Sequence, residues 1–141
     1  MTLYDLIDKI SEYAVGRQLI EYSAGGTSIM EIDRAEGYPL LFVAPTGNHR
    51  VSQNTTTFTI TLYYIDRLLD DSTNNVTLFS NSINALKDLV LGIATLDGVT
   101  DVSEEFDIAN FTETERLNDK VAGAYTTIQV TTLNDYTCPI E

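Results

Sequence analysis

The sequence predicts an α+β domain: a mixed or antiparallel sheet of four to five strands, with two main helices packed on one face. Residues 55–66 alternate threonine with apolar and aromatic side chains, which is the pattern of a half-buried β-strand. Segments 3–14 and 76–93 carry apolar residues at three- and four-residue spacing, which is the pattern of amphipathic helices. The length of 141 residues fits one domain, 1–141, with a core of its own.

The N-terminal helix is predicted by Thr2 and Asp5, a variant of the capping box, followed by an apolar stripe. The stripe runs for about four turns and ends near Gly16 or a few residues later. Such a helix needs an apolar surface to lie on, and the sheet is the natural candidate. The stripe consists of Leu3, Leu6, Ile7, Ile10 and either Tyr13 or Ala14.

Three segments lead from this helix to the long strand. Paired glycines indicate a flexible connection over 23–28, and 29–32 has the pattern of a short strand. Residues 38–44 are too continuously apolar for a strand with one wet face, so we expect cover on both sides or cover by a neighbouring subunit. A polar loop from Pro45 to Arg50 then joins this strand to the long strand, its expected antiparallel partner.

A second helix of about five turns follows the long strand. Its apolar residues step by three or four, and the stripe is expected to face the core. The helix begins near Val76, or later at Ser80 or Asn81, and Gly98 is a natural terminator. The stripe consists of Val76, Phe79, Ile83, Leu86, Val90 and Ile93.

Two more strands close the predicted sheet. Residues 100–108 resemble one strand with a strongly acidic face. Residues 125–133 alternate around Ile128 and Val130 and are expected to lie beside the long strand. Residues 134–141 contain turn residues and a proline, and are predicted to form an arm that needs a surface to lie on.

Composition excludes several classes of protein. The net charge of −13 repels phosphate backbones, so a sequence-reading nucleic-acid protein is not expected. No apolar run reaches the length of a membrane span, and the N-terminus lacks the basic leader of a signal peptide. A single cysteine, Cys138, forms no internal disulfide, which fits a reducing cytoplasm.

Candidate catalytic or metal-binding residues are few. His49 has no cysteine or carboxylate cluster near it in sequence, so a solvated or hydrogen-bond-donating role is favoured over a ligand or base. Asp101, Glu105 and Asp107 could supply oxygen ligands to a metal, but their spacing fits no EF-hand loop and favours a solvated acidic face. No cofactor is expected.

The order of elements resembles the tail-terminator and neck (head–tail joining) proteins of tailed bacteriophages, especially those of the crAss-like group and related phages of gut Bacteroides. The likeness spans nearly the whole chain and includes no catalytic motif. Besides the two helices and the closing strand, it rests on the segments Glu31-Ile32-Asp33, Tyr38-Pro39-Leu40-Leu41-Phe42-Val43, Tyr64-Ile65-Asp66-Arg67-Leu68 and Cys138-Pro139.

This resemblance implies a structural virion protein that forms a homo-oligomeric ring, usually six- or twelve-fold. Such a ring sits between portal and tail, is assembled in the host bacterial cytoplasm, and lets DNA pass without sequence-specific binding. The acids expected to face its channel are Asp70, Asp71, Asp101, Glu105 and Asp107. The expected interface loop is Pro45, Thr46, Gly47, Asn48, His49 and Arg50, and the expected interface arm is Asn134, Asp135, Tyr136, Thr137, Cys138, Pro139, Ile140 and Glu141.

Three alternatives stay open from the sequence. The first is a monomeric or dimeric α+β adaptor or decoration protein that forms no ring. The second is a structural protein of a contractile injection system. The third is an enzyme using paired carboxylates such as Glu104 and Glu105 or Asp70 and Asp71. Neighbours along a strand point to opposite faces, so Glu104 and Glu105 do not share a substrate easily.

Overall fold

The computed structural model describes residues 1–17, 22–25, 39–67, 75–113 and 121–134. These residues form an α+β fold in which a mixed sheet carries helices on one face. The helices are α1 (Leu3–Gly16) and α2 (Asn75–Ile93). The strands are β1 (Tyr22–Gly25), β2 (Leu40–Pro45), β3 (Arg50–Val51), β4 (Thr55–Arg67), β5 (Val99–Val102), β6 (Ile108–Glu113) and β7 (Val121–Leu133).

The described sheet has five positions side by side, in the order β1, β2, β4, β7, β5. The short strand β3 extends the β2 position along β4, and β6 extends the β5 position along β7. Strands β2 to β7 are joined by antiparallel pairs, and β1 pairs in parallel with β2. The sheet therefore holds more strands than the four to five predicted, because two of its positions are each shared by two strands.

The two long strands, β4 and β7, form the centre of the sheet. They pair without interruption from Thr55 opposite Leu133 to Arg67 opposite Val121. On the other side of β4, β2 pairs in the register that places Leu40 opposite Ile65. Both pairings confirm the predicted neighbours of the long strand.

Two predictions for individual strands are wrong. Residues 22–25 form β1 rather than part of a flexible connection, because the backbone there pairs with β2. Residues 100–108 do not form one strand. β5 ends at Val102, Ser103 donates one more N–H to the Gln129 carbonyl, and the chain then leaves the ladder until β6 begins at Ile108. The short strand predicted at 29–32 lies outside the described residues.

Both helices pack on the face that receives the even-numbered side chains of β4, as predicted. The largest fully buried side chains of this core come from α1, α2, β2, β4 and β7. They are Leu6, Ile10, Leu41, Val43, Ile60, Leu62, Leu86, Ile93 and Ile128.

Strand β2 is buried on both of its faces. Leu41 and Val43 belong to the core beneath the helices, whereas Phe42 points to the opposite face with 1% exposure. Ile65 on β4 points the same way as Phe42 and is fully buried. Of the two explanations for the apolar run in β2, cover on both sides within one chain is therefore confirmed.

Helix α1 begins with the predicted capping box. The Asp5 N–H donates to Thr2 Oγ1 (3.1 Å), and the Thr2 N–H donates to Asp5 Oδ2 (3.3 Å). These bonds satisfy backbone donors that a helix start otherwise leaves unpaired. The choice between Tyr13 and Ala14 is also resolved, since Ala14 is fully buried and Tyr13 is half-buried.

Helix α2 begins at Asn75, so the earlier of the two predicted starts is the one observed. Its core face differs from the predicted stripe at the N-terminal end, where Val76 is 80% exposed and Leu78 is buried instead. Ser82 is buried on the same side and donates from Oγ to the Leu78 carbonyl (2.6 Å). Neither described helix combines the length and hydropathy that a membrane span requires.

Candidate functional site

The face of the sheet opposite the helices carries a row of threonines. Alternation along β4 sends Phe58 and Ile60 into the core and leaves the residues between them on this second face. The antiparallel register brings the odd-numbered residues of β7 beside them. We call this surface the threonine face; it consists of Thr57, Thr59, Thr61, Thr127, Gln129 and Thr131.

Hydrogen bonds between hydroxyl groups hold the threonine face in place. Thr61 Oγ1 lies 2.8 Å from Thr127 Oγ1 and 3.0 Å from Thr46 Oγ1. Thr57 Oγ1 and Thr131 Oγ1 are 2.9 Å apart. Cross-strand pairs of this kind fix side-chain rotamers, so the face presents an ordered array of polar groups.

The predicted interface loop is a large bulge between β2 and β3. Pro45 pairs with Ile60 and Arg50 pairs with Thr57, so the four residues 46–49 lie opposite only two on β4. The extra length stands out from the sheet edge and forms a wall beside the threonine face. Within this wall, Gly47 adopts a φ of 65°, a backbone conformation that side-chain-bearing residues seldom adopt.

His49 replaces a backbone hydrogen-bond acceptor that β4 loses at the bulge. The Thr59 N–H donates to His49 Nδ1 (3.2 Å), and Thr59 Oγ1 donates to the Asn48 carbonyl (2.8 Å). With Nδ1 accepting, neutral His49 carries its proton on Nε2 and can donate from there. His49 is exposed, which agrees with the solvated role predicted, and its backbone-bound nitrogen additionally acts as an acceptor.

Together the bulge and the threonine face enclose a cavity of about 580 Å³, which we call the polar groove. Its lining consists mostly of groups that can donate a hydrogen bond: hydroxyls and amides, which also accept, an imidazole and a guanidinium. The lining residues are Asn48, His49, Arg50, Thr57, Thr59, Gln129 and Thr131.

Arg50 gives the polar groove a positive charge on a strongly acidic protein. Among the described residues, Arg50 makes no ion pair, whereas Arg17 pairs with Asp88 (3.2 Å) and Lys9 donates to the Asp97 carbonyl (3.0 Å). A guanidinium that is exposed beside several neutral donors is suited to binding a carboxylate or another anion. The arrangement therefore favours an acidic ligand or partner.

The acids predicted to face a channel lie together only in part. Asp101 is paired with Thr131 on β5, next to the polar groove, while Glu105 and Asp107 lie in the 103–107 link beyond it. All three are exposed. Asp70 and Asp71 lie outside the described residues. Within the described ranges, no three His, Cys, Asp or Glu side chains are grouped as a metal site requires.

The first residue of the predicted arm, Asn134, is tied to the turn between β3 and β4. Its Nδ2 donates to the Ser52 and Gln53 carbonyls (2.9 and 3.2 Å), and its N–H donates to the Asn54 carbonyl (2.9 Å). Asn134 thus ends the sheet. The remaining arm residues, 135–141, lie outside the described residues.

The polar groove itself was not predicted from the sequence. The alternation in β4 and β7 identifies the residues of the threonine face, but only the register shows that Thr57 and Thr131 meet. The bulge that builds the wall has no sequence signature beyond the turn residues Pro45 and Gly47. Comparison with protein-family models and with curated proteins gave no match to this chain.

Proposed function

We propose that this chain is a structural virion protein that forms a ring at the head–tail junction, as a neck or tail-terminator protein. In this role it joins the portal complex to the tail and leaves a channel for DNA. The family resemblance supplies the proposal, and the unlike surfaces of the described domain support it. One face of the sheet is covered by helices, and the other carries the polar groove.

The observation that carries the proposal is Arg50 in the polar groove, exposed and without a carboxylate among the described residues. A chain with 21 acidic residues and a net charge of −13 repels copies of itself unless a local cation meets an acid. An unpaired guanidinium in a groove supports a contact with a neighbouring chain. Contacts that join unlike surfaces repeat from copy to copy, and they close into a ring when the rotation permits.

The predicted channel acids fit the same arrangement. If α1 and the threonine face both meet neighbours, the β5–β6 edge of the sheet is free to face the axis. That edge carries Asp101, Glu105 and Asp107. An acidic channel would keep DNA from adhering as it passes.

Native mass spectrometry and negative-stain images of the purified protein test the proposal, alone and with portal or tail proteins. We expect closed rings of six or twelve copies. A species of one or two copies under every one of these conditions contradicts the proposal and favours the adaptor.

A further inference from the structure

The geometry points to a second copy of this chain as the occupant of the polar groove, with Asp8 and Glu12 of that copy's α1 against Arg50. This inference rests on the proposed ring and names the two surfaces that meet in it. The groove lies on the threonine face, and α1 lies on the opposite, helix-covered face. A contact between opposite layers is heterologous, so each copy can use both surfaces at once.

The groove supplies a cation together with several neutral hydrogen-bond donors. The Arg50 guanidinium offers up to five N–H groups. The hydroxyls of Thr57 and Thr131 bond each other (2.9 Å), so one of their two protons remains for a ligand. His49 Nδ1 already accepts from the Thr59 backbone, so Nε2–H is the donor that remains on its ring. No carboxylate lines the groove among the described residues, and the nearest predicted acid, Asp101, lies beside it opposite Thr131.

The outer side of α1 supplies the matching acids. Asp8 and Glu12 are exposed and stand four residues apart, on adjacent turns and away from the buried Leu6 and Ile10. Asp5, on the same side, already accepts from the Thr2 backbone in the capping box. Asp8 and Glu12 make no ion pair with any described residue, so both carboxylates are available to a neighbour.

Lys9 does not compete for these carboxylates. Its Nζ donates to the Asp97 carbonyl (3.0 Å), which draws the only lysine of this helix toward its own chain. The exposed side of α1 therefore presents a negative ridge, and a single helix is about 10 Å wide. A cavity of about 580 Å³ open along the sheet can receive the side chains of such a ridge.

The experiment exchanges the charges of the two surfaces. Arg50→Glu places an acid in the groove, and Glu12→Arg places a base on the ridge. Each variant alone should lower the fraction of protein in rings at least about tenfold, measured by native mass spectrometry at low ionic strength. Lys87→Glu is the matched control for Arg50→Glu, since it makes the same charge change at an exposed site on α2, and it should assemble as the wild type does.

Mixing the two variants gives the sharper measurement. In a ring that alternates them, every groove that carries Arg50→Glu faces a ridge that carries Glu12→Arg, and every native groove faces a native ridge. An equimolar mixture should therefore form rings that neither variant forms alone, with even numbers of copies and equal amounts of each mass.

The outcomes distinguish a failure of the proposed ring from a failure of the proposed contact between the groove and α1. If the wild type forms no ring under any condition, the proposed function fails and the inference fails with it. If the wild type forms rings and Arg50→Glu still does so, or the mixture does not recover, only the inference is overturned. If instead a dimer forms that depends on Arg50 and Asp101 but not on Glu12, two grooves face each other and the ridge contact is wrong. Circular dichroism of each variant confirms that a loss of assembly is not a loss of folding.

Discussion

Gly123 lies directly against the backbone of Tyr64. A Cβ atom placed on Gly123 would overlap the Tyr64 carbonyl oxygen, which belongs to the central strand β4. Gly123 is paired with Ile65 on one side and with Phe111 on the other, so it stands where β4, β7 and β6 meet. The close approach of three strands at this point depends on the missing side chain.

Gly123→Ala should therefore lower the free energy of unfolding by about 3 kcal/mol or more, because the clash is with backbone and no rotamer change relieves it. Gly16→Ala is the control. No atom of the described residues lies within 4 Å of a Cβ at Gly16, and alanine at this helical position should stabilise the protein by up to about 1 kcal/mol. Urea unfolding followed by circular dichroism measures both. Equal stability of the two variants would refute the close approach.

The sheet could be predicted from the sequence because its long strands alternate strictly. The same alternation conceals the bulges. Between Val102, opposite Val130, and Ile108, opposite Thr126, five residues lie opposite three. Side chains alternate between the two faces of a sheet every second residue, so two extra residues do not disturb the alternation. The sequence of 100–108 therefore looks like one unbroken strand.

The bulge at 46–49 also has an excess of two residues over its partner strand, and it too leaves the phase unchanged. This is why the partners of the long strand could be predicted while the wall of the polar groove could not. The positions of Arg50 and His49 beside Thr57 and Thr59 depend on the bulge and on the register of β7. Such contacts between distant residues leave no periodic trace in the sequence.

The core face of α2 differs from the predicted stripe at its N-terminal end, and two truncations of apolar residues test this. Leu78 is buried although the predicted stripe omits it, so Leu78→Ala should cost about 2–5 kcal/mol through the lost contacts and the cavity. Val76 is 80% exposed, so Val76→Ala should change the stability by less than about 0.5 kcal/mol. Thermal or urea unfolding distinguishes the two. A large loss at Val76 would restore the predicted stripe.

The phenol of Tyr64 should make the fold sensitive to alkaline pH. Burial, and to a lesser extent the Asp66 carboxylate, raises the pKa of Tyr64 from 10.0 to about 12. The folded state therefore holds this proton more tightly than the unfolded state. The resulting stability is complete below pH 10 and is lost as the pH rises toward 12. Between pH 9 and pH 11 we expect the free energy of unfolding to fall by about 1 kcal/mol from this group.

Tyr64→Phe isolates that contribution, because phenylalanine has no proton to lose. Relative to the wild type, this variant should show a smaller fall in unfolding free energy over the same pH interval. Tyr4→Phe serves as the control, since Tyr4 is exposed. If the unfolding free energies of Tyr64→Phe and the wild type fall equally between pH 9 and pH 11, the buried phenol is not the cause of the loss at alkaline pH.

His49 should protect the bulge through its Nδ1 atom. His49→Ala removes the acceptor of the Thr59 N–H, and we expect faster hydrogen exchange at that amide and a loss of about 1 kcal/mol in stability. His49→Asn should retain most of the protection, because Asn Oδ1 occupies nearly the position of Nδ1. His49→Gln should not, because its amide lies one bond farther out. Equal exchange rates at the Thr59 amide in all four proteins would mean that the imidazole does not hold the loop.

Linear and closed circular DNA can test whether Asp101, Glu105 and Asp107 stand on a channel wall. Replacing all three with lysine converts the proposed acidic edge into a basic one. Preformed rings of this variant should then retain linear double-stranded DNA that threads the channel, but not closed circular DNA, which cannot enter a closed ring.

Gel-shift assays with matched linear and circular molecules at low salt give the comparison. Wild-type rings should retain neither form, because their acids repel the phosphates. If the lysine variant binds circular and linear DNA equally well, these side chains stand on the outer wall, and the acidic channel is refuted even if the ring remains.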